Sequence, residues 1–279
     1  IVYTCPAGNA LYENNQTKEV VVFFSKSDHP STAYTATSRA ADGLNFSGTP
    51  QPISIAGVPP HLPRWDAETN CFFDTRQSRW VCTMRAPRDP ACGIWWPLCL
   101  HSCGKAKCGM TNLSTDRHQG LVSVRALATM TSLGPSFSSG FANTTTIAVN
   151  PDKTRQLYSQ ITFPSNGIYL GLAMVAEVQL AVIEGENFTR DAHVNRVRCM
   201  LQWSRDLVHW ETVGNFSERS SEFIPLSGAG FDSHLCYASA SPVTMPDGSV
   251  RLYYAASDGP HDGNNRSTSI GLATLKSAD

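Results

Sequence analysis

Four short runs of β-branched and aromatic residues constrain the fold of this chain more than any other feature. Each run is five to eight residues long and follows a polar or glycine-containing turn; the runs are Val20–Phe24, Arg79–Met84, Ile168–Val175 and Arg251–Ala256. Such side chains favour extended backbone. No segment carries an apolar stripe of helical period over three turns, and 20 Gly and 17 Pro residues punctuate the 279-residue chain. The pattern predicts an all-β fold.

These runs belong to a weak internal repeat. After each run and a loop of variable length, a further stretch ends in a similar phrase: Ala36–Arg39, Ala128–Thr131, Gln202–Arg205 and Ala273–Lys276. A repeat of roughly 60 to 90 residues, built from a hairpin and a third strand, is typical of a β-propeller blade. We therefore expect one propeller domain over 1–279, alone or within a longer chain, with four blade-like units at 8–57, 58–140, 145–226 and 227–279.

Composition argues against several classes of function. Charged residues make up only 16% of the chain and its formal net charge is -1, so we expect no nucleic-acid partner. The longest apolar stretch, residues 168–183, contains Glu177 and Gln179 and is too short and polar to span a membrane as a helix. Nucleotide-binding, zinc-protease and serine-hydrolase motifs are missing, and we predict neither a cofactor nor a metal site.

Potential glycosylation sites indicate the compartment. Seven Asn-x-Ser/Thr triplets without an intervening proline are spread along the chain, at Asn15, Asn45, Asn112, Asn143, Asn187, Asn215 and Asn265. So many triplets are unexpected by chance, and each predicts an exposed loop or strand end. The sequence therefore predicts a secreted, extracellular glycoprotein. Because it begins at Ile1, either a signal segment has been removed or a longer protein precedes it.

Nine cysteines agree with an oxidising compartment. Cys92, Cys99, Cys103 and Cys108 crowd one Gly-, Pro- and Lys-containing segment, which we interpret as a disulfide-stapled insertion over 86–118; a four-thiolate zinc site is the alternative. The insertion lacks the Cys-x-x-Cys pairs of common zinc sites. The odd number of cysteines leaves a thiol that is free or bonded outside the chain, which allows self-assembly or a disulfide-linked partner.

Cys71 and Cys82 lie in a predicted hairpin. Residues 71–74 and 79–82 read as two short strands joined by the turn-like sequence Thr-Arg-Gln-Ser. Pairing Phe73 with Trp80 places Cys71 opposite Cys82, where the Cβ atoms of facing residues are close enough to bridge. We predict a cross-strand disulfide between these two cysteines.

Several of these segments resemble the five-bladed β-propeller glycosidases of the glycoside hydrolase family 32 and family 43 group. Residues 204–210 are similar to the family's Ser-x-Asp-Leu-x-x-Trp phrase, and residues 65–74 followed by Arg79–Val81 are similar to a strand-opening segment of family 32. Residues 251–261 and 270–275 resemble the last blade. The likeness touches four blocks and implies a carbohydrate ligand at an axial pocket.

The resemblance also implies which acids act. It points to Asp66 and Asp232 as the carboxylates that flank a sugar bond, although a strand-start Asp also commonly caps a turn. The stretches that correspond to the family's other two acids, residues 5–10 and 144–149, contain no carboxylate. Glu177 follows an apolar strand, where we expect an outward-facing, solvated side chain. The sequence thus predicts the loss of part of the catalytic acid set.

Further side chains suit a sugar pocket. Arg64 and Trp65 could offer a stacking surface beside Asp66, and His234 follows Asp232. Asp258, His261 and Arg266 lie in one loop, which could equally be a structural turn. We therefore expect a propeller that acts on or binds glycans; the alternative is a structural or adhesive extracellular glycoprotein without catalysis.

Overall fold

A computed structural model of the protein describes residues 10–14, 19–26, 29–38, 47–53, 70–88, 124–136, 139–142, 145–148, 155–177, 196–215, 218–239, 241–261 and 265–276. Within these ranges the regular elements are β-strands, apart from a short 3-10 helix at Arg219–Ser221. The predicted all-β fold is confirmed. In the ranges given, no helix is long and apolar enough to cross a membrane.

Seventeen strands are described, numbered in chain order. They are β1 (Ala10–Asn14), β2 (Glu19–Lys26), β3 (His29–Ser38), β4 (Ser47–Pro52), β5 (Asn70–Asp74), β6 (Arg79–Arg88), β7 (Val124–Thr131), β8 (Thr145–Ala148), β9 (Arg155–Ser165), β10 (Ile168–Glu177), β11 (Val197–Ser204), β12 (Trp210–Thr212), β13 (Glu222–Ile224), β14 (Leu235–Ala238), β15 (Val243–Thr244), β16 (Val250–Ser257) and β17 (Thr268–Leu275).

The strands group into four antiparallel units. The first unit is β1 to β4 and the second is β5 to β8, each in sequential order. The third unit, β9 to β13, and the fourth, β14 to β17, share one continuous sheet. They join where β11 and β14 pair in parallel through Val197 and Leu235. This order, a chain of antiparallel units each formed by consecutive strands, matches the predicted repeat.

The repeat found in the sequence has a structural counterpart. Each apolar run lies in the second strand of its unit or in the equivalent β16, and each four-residue phrase lies at the end of the next long strand, β3, β7, β11 or β17. In β10, residues 171–176 are all buried. A strand with neighbours on both edges and packing on both faces needs apolar residues at successive positions, which explains these runs.

One predicted boundary differs from the structure. Residues 145–148 were expected to open the third unit, but they form β8 and pair with β7 of the second unit, with Thr146 opposite Ala128. The third unit opens instead with β9, which contains no Asp or Glu. A four-residue strand is too short for the alternation of its side chains to show which sheet it joins.

The predicted disulfide is confirmed. Cys71 and Cys82 are bonded and lie opposite each other in the register of β5 and β6. Phe73 faces Trp80 as expected, with the two rings edge to face at 5.5 Å between centroids. Both cysteines are buried. The other predicted disulfide region, with Cys92, Cys99, Cys103 and Cys108, lies outside the described residues.

The units pack against one another through their first strands. β1 contacts β5, and β5 contacts β9, which also lies against β6 and β7. Polar bonds reinforce this contact: the Thr162 backbone N–H donates to the Asn70 side chain at 2.9 Å, and the Thr83 hydroxyl donates to the Gln160 carbonyl at 2.9 Å. Successive first strands therefore lie side by side, as they do around a propeller axis.

The phrase at residues 204–210 is a structural joint. The Ser204 hydroxyl accepts backbone N–H bonds from Asp206 and Leu207, at 3.2 and 2.9 Å, and holds the chain in a tight turn. Leu207 adopts a positive φ of 66° and is buried. Its side chain packs with Phe72 and Val81 of the second unit. The motif that carries the resemblance thus connects two units.

Candidate functional site

Five of the predicted site residues lie in two neighbouring segments of the fourth unit. Asp232 and His234 precede β14, whereas Asp258, His261 and Arg266 lie in the connection between β16 and β17. Pairing of β14 with β16 brings the segments together, and the His234 backbone N–H donates to the Ser257 carbonyl at 3.0 Å. The structure therefore unites residues from two separate stretches of the chain. Arg64, Trp65 and Asp66 lie outside the described residues.

Asp232 is held by two hydroxyl groups. Its half-buried carboxylate accepts hydrogen bonds from Ser227 and from Tyr254, the latter at 3.0 Å. Burial, and next the hydrogen bond to Asp232, raise the pKa of Tyr254 to about 12, so the phenol stays protonated and donates at ordinary pH. Both carboxylate oxygens thus have a fixed donor and keep lone pairs for a further hydroxyl.

Gly271 makes room for Tyr254. The two residues face each other across β16 and β17, and a Cβ atom at position 271 would overlap the phenol ring. Phe231 stacks against the same ring, with 6.4 Å between the ring centroids. The glycine and the exposed Phe231 together fix the ring whose hydroxyl orients Asp232.

His261 is the centre of a second cluster, held between two units. The Tyr237 hydroxyl of β14 lies 2.6 Å from Nδ1, and the Tyr158 hydroxyl of β9 lies 3.3 Å from Nε2. The Tyr158 ring also meets the imidazole edge to face at 5.0 Å. A neutral imidazole has one N–H and one acceptor nitrogen, so one tyrosine donates to the ring and the other accepts from it. We call these three residues the His261 cluster.

Ser233, the residue after Asp232, binds the loop that carries His261. The Ser233 hydroxyl donates to the carbonyl of Asp258 at 3.4 Å, which connects the segment before β14 to the loop of His261. The same hydroxyl lies 3.0 Å from Nδ1 of His234. His234 and His261 are both half-buried. The Asp232 carboxylate and the aromatic, hydroxyl-bearing His261 cluster thus belong to two segments that contact each other.

Asp258 and Arg266 bind the backbone of their own loop. The Asp258 carboxylate accepts the Ser267 backbone N–H at 2.7 Å. The Arg266 guanidinium donates to the carbonyl of Pro260, at 3.3 Å, and to that of His261. Both side chains are exposed. Their present contacts position the loop that carries His261.

A buried ionic group braces the same region. Arg198 of β11 is 1% exposed, and its guanidinium lies 3.1 Å from Glu177 and 3.6 Å from Glu222. Glu222 also accepts the Leu226 backbone N–H at 2.9 Å, immediately before Ser227. The expected outward, solvated role of Glu177 is therefore not what the structure shows. Burying one cation among carboxylates requires such pairing, because an isolated buried charge is strongly unfavourable.

Sequence reasoning missed Tyr158, Tyr237 and the Arg198 group. Tyr158 lies in β9, which the sequence repeat did not mark as a separate strand, so its place at the start of a unit was hidden. Tyr237 belongs to the stretch 234–237 but carried no charge or motif to single it out. The useful signal is positional, since both tyrosines lie in the first strands of their units.

Two predicted glycosylation sites are described, and both are exposed. Asn215 lies in the loop after β12, where its side-chain amide donates to Glu218 at 3.2 Å. Asn265 lies in the loop of His261. Asn15, Asn45, Asn112, Asn143 and Asn187 lie outside the described residues. Where the chain is described, no group of three or more His, Cys, Asp or Glu side chains is arranged to hold a metal ion.

Comparison with known proteins identifies solved structures with a similar fold. No protein-family model and no curated protein matches the chain. Among solved structures, the BT0996 complex with RGII matches with a TM-score of 0.57 and 12% identity, covering 99% of this protein and 73% of that one. An N-acetylgalactosamine deacetylase from F. plautii, in complex with blood group B trisaccharide, matches at 0.52 and 9%, covering 96% and 71%.

A third similar structure belongs to the GH130 family of mannoside phosphorylases, which contains glycoside hydrolases that target β-1,2 mannosidic linkages in Candida mannan. It matches with a TM-score of 0.50 and 14% identity, covering 97% of this protein and 66% of that one. At these identities the likeness establishes the fold, which is that of glycosidase-like propeller enzymes. Function has to come from the site.

Proposed function

We propose that this protein is a secreted, N-glycosylated propeller that acts on or binds glycans through the His261 cluster and Asp232. The observation that carries the proposal is the meeting of Tyr158, Tyr237 and His261 between the third and fourth units. Two of the four residues of this site, Asp232 and His261, were named from the sequence as candidates for glycan chemistry.

The chemistry of these side chains suits a sugar. Aromatic rings offer a flat apolar surface to the C–H face of a pyranose, while phenol, imidazole and carboxylate groups bond its hydroxyls. Asp232 is an acceptor with its orientation already set by Tyr254. A preorganised acceptor loses little conformational freedom when a ligand binds. The likeness in fold to glycoside hydrolases supports the same class of ligand.

Catalysis, if the protein retains it, requires a second carboxyl group beside Asp232. Glycosidases commonly use one carboxyl as acid and another as nucleophile or base. Glu177 and Glu222 are both engaged with Arg198, which leaves them poorly suited to that role. Asp66, implied by the resemblance to the family 32 and 43 group, remains our proposed partner for Asp232.

The extracellular part of the proposal depends on the sequence and on local structure. Seven glycosylation triplets support it, and the two that are described have exposed asparagines. The bonded pair Cys71 and Cys82 is the kind of cross-link that persists in an oxidising compartment. Intact-mass measurement of the secreted protein before and after enzymatic removal of N-glycans tests this part separately.

The test of turnover compares matched carboxylate variants. Release of reducing sugar from plant, algal and microbial glycans is measured for the wild type, Asp232→Asn, Asp66→Asn and the control Asp247→Asn. Asp247 is an exposed residue of the turn before β16 and is bonded to Ser249. We expect both site variants to lose activity and the control to keep it. Equal activity in all four proteins refutes the assigned carboxylates.

The test of binding compares matched histidine variants on a glycan array. His261→Ala removes the ring that joins Tyr158 to Tyr237, whereas the control His209→Ala removes a side chain that is 86% exposed and bonded to Asp206. We expect binding to weaken about tenfold or more in His261→Ala, since loss of a central aromatic contact typically costs more than about 1.4 kcal/mol. Unchanged binding in both variants refutes the site.

The structural or adhesive alternative has a distinct outcome. A wild-type protein that neither binds nor cleaves any glycan, yet runs as disulfide-linked species on non-reducing gels, assigns the chain to a larger extracellular assembly. Its motivation is the odd number of cysteines and the missing family acids. A strictly monomeric protein that binds glycans contradicts this alternative.

A further inference from the structure

Two buried cysteines lie at the joint between the third and fourth units. Cys199 of β11 and Cys236 of β14 are both 0% exposed, and both are free thiols in the structure. They belong to one hydrophobic cluster. We propose that Cys199 and Cys236 form a second structural disulfide, which covalently joins these two units.

Strand geometry places the two residues within bridging range. β11 and β14 run in parallel and pair at Val197 and Leu235, so Cys199 and Cys236 follow this contact by two residues and one residue. The bridge between Val197 and Leu235 holds the two chain segments together, and the shared hydrophobic cluster brings both cysteine side chains into one core. Bridged cysteines typically have Cα atoms roughly 4.4 to 6.8 Å apart, which a contact within one core allows.

The side chains face the same core. Cys199 pairs with Met174 on one side and with Ile224 on the other, whereas Cys236 pairs with Ala256. All five residues belong to the cluster between the units. The two thiols are already in hydrogen-bond contact with each other. The two sulfur atoms therefore meet inside the core that the third and fourth units share.

Bond formation has to precede burial of the two thiols. The hydrogen bond to Cys199, then burial and the charge of Cys199, and then the charges of Asp232 and Glu222 raise the pKa of Cys236 well above its ordinary range. A thiolate is the form that reacts, so the buried thiol is unreactive in the folded protein. We therefore expect the bond to form while the chain folds, before this core closes.

The oxidant is a low-molecular-weight disulfide such as oxidised glutathione. One cysteine thiolate attacks it and forms a mixed disulfide, with release of one glutathione thiolate that takes up a proton. The other cysteine loses its proton and attacks the mixed disulfide, which forms the Cys199–Cys236 bond and releases the second glutathione. Two protein thiols thus lose two electrons and two protons, and one glutathione disulfide becomes two thiols.

The inference refines the search for an intermolecular bond. Nine cysteines minus the two pairs, Cys71 with Cys82 and Cys199 with Cys236, leave five: Cys5 and the four of the predicted insertion. If those four pair among themselves, Cys5 is the residue available to a partner. The disulfide-linked partner in the alternative function would then attach near the start of the chain.

Peptide mapping tests the proposal directly. The full chain is secreted from an oxidising host, denatured without reductant, alkylated with N-ethylmaleimide and digested with trypsin. Trypsin releases Cys199 in peptide 199–205 and Cys236 in peptide 220–251, each with a single cysteine. We expect these peptides to be linked. Peptides 65–76 and 80–85, which hold Cys71 and Cys82, serve as the internal control.

Two results would overturn the proposal. One is recovery of peptides 199–205 and 220–251 mainly as N-ethylmaleimide adducts, and the other is a link from either peptide to a different cysteine. A melting experiment adds a second readout. We expect dithiothreitol to lower the Tm of the wild type more than that of the double variant Cys199→Ala with Cys236→Ala, whose reductant response reports only the remaining bonds. Equal shifts contradict the proposal.

These readouts are separate from those of the proposed function. The inference rests on the secretory route but not on glycan chemistry. Loss of glycan binding in His261→Ala does not change the peptide map, and an unlinked Cys236 does not change the glycan assay. A failure of either proposal is therefore assigned without ambiguity.

Discussion

Leu207 provides a quantitative test of how the third unit is attached to the second. Its side chain is 4% exposed and packs with Phe72, Val81 and Tyr169, which come from β5, β6 and β10. Val208, the next residue in the same turn, is 38% exposed. Leu207→Ala therefore removes buried packing, whereas Val208→Ala shortens a side chain that keeps 38% of its surface in solvent.

The expected loss follows from the atoms removed. Leu207→Ala deletes three buried carbon groups, which at about 0.8 kcal/mol each amounts to about 2.4 kcal/mol of transfer free energy. The cavity left between two sheets raises the loss to about 3 kcal/mol or more. Val208→Ala should stay within about 0.5 kcal/mol of the wild type.

Backbone strain supplies an internal check. Leu207 has a φ of 66°, a conformation that costs a residue with a Cβ atom about 1 kcal/mol relative to glycine. Leu207→Gly removes the same three carbons and Cβ as well, but it also removes this strain. We therefore expect Leu207→Gly to be more stable than Leu207→Ala, although glycine usually destabilises a protein.

The assay is urea unfolding followed by tryptophan fluorescence, since Trp210 packs beside Leu207 and reports the opening of this joint. We expect the transition midpoint to fall clearly for Leu207→Ala, less for Leu207→Gly and not at all for Val208→Ala. Equal midpoints for the two alanine variants would refute the role of Leu207 as a joint between units.

Two further predictions concern Asp74 and Gly271. Burial alone would raise the pKa of Asp74, but hydrogen bonds from Tyr169 and neighbouring groups lower it below the ordinary value of 3.8, so its stabilising effect is present above that value and is lost as pH falls through the folded-state pKa. Asp74→Asn should therefore lower the Tm at neutral pH. The difference in Tm between the variant and the wild type should shrink below about pH 4. A Tm difference that stays constant with pH contradicts this prediction. Gly271→Ala should destabilise the protein by about 1 to 3 kcal/mol in thermal unfolding, because the added Cβ overlaps the Tyr254 ring. The control Gly228→Ala places its Cβ in open space and should not destabilise the protein. Equal losses of stability in the two variants contradict this prediction.

Much of the fold could be predicted from the chain alone because its determinants are local. The four apolar runs became the inner strands of four units, and the repeated phrases marked the ends of the strands that follow them. The bond between Cys71 and Cys82 closes a hairpin in which the two cysteines are 11 positions apart. The alternation of side chains along two strands and the sequence of one turn were therefore enough to predict the bond. β8 was misplaced since its four residues carry too little pattern to choose between two sheets.

The candidate site was accessible only in part. Asp232 and His261 could be named from the sequence because charged and imidazole side chains near turns often belong to binding sites. The partners that orient them did not: Tyr158 is 103 positions from His261, and Tyr254 is 22 positions from Asp232. Glu177 was expected in solvent because a strand end is usually exposed, but its half-buried carboxylate pairs with the buried Arg198 of the adjacent strand.

The amino-acid sequence by itself determined an all-β chain with a repeated strand pattern, a cross-strand disulfide and a set of polar residues suited to sugars. These features follow from the pattern of apolar and polar residues, from the residues that form turns and from the pairing of neighbouring strands, all of which act between residues close along the chain. Tertiary structure decided which of those polar residues meet, how Tyr254 and Gly271 hold Asp232, and that Cys199 approaches Cys236. Such contacts depend on how whole sheets pack, since interlocking between sheets arises from shape and burial over many residues and leaves no local pattern in the sequence.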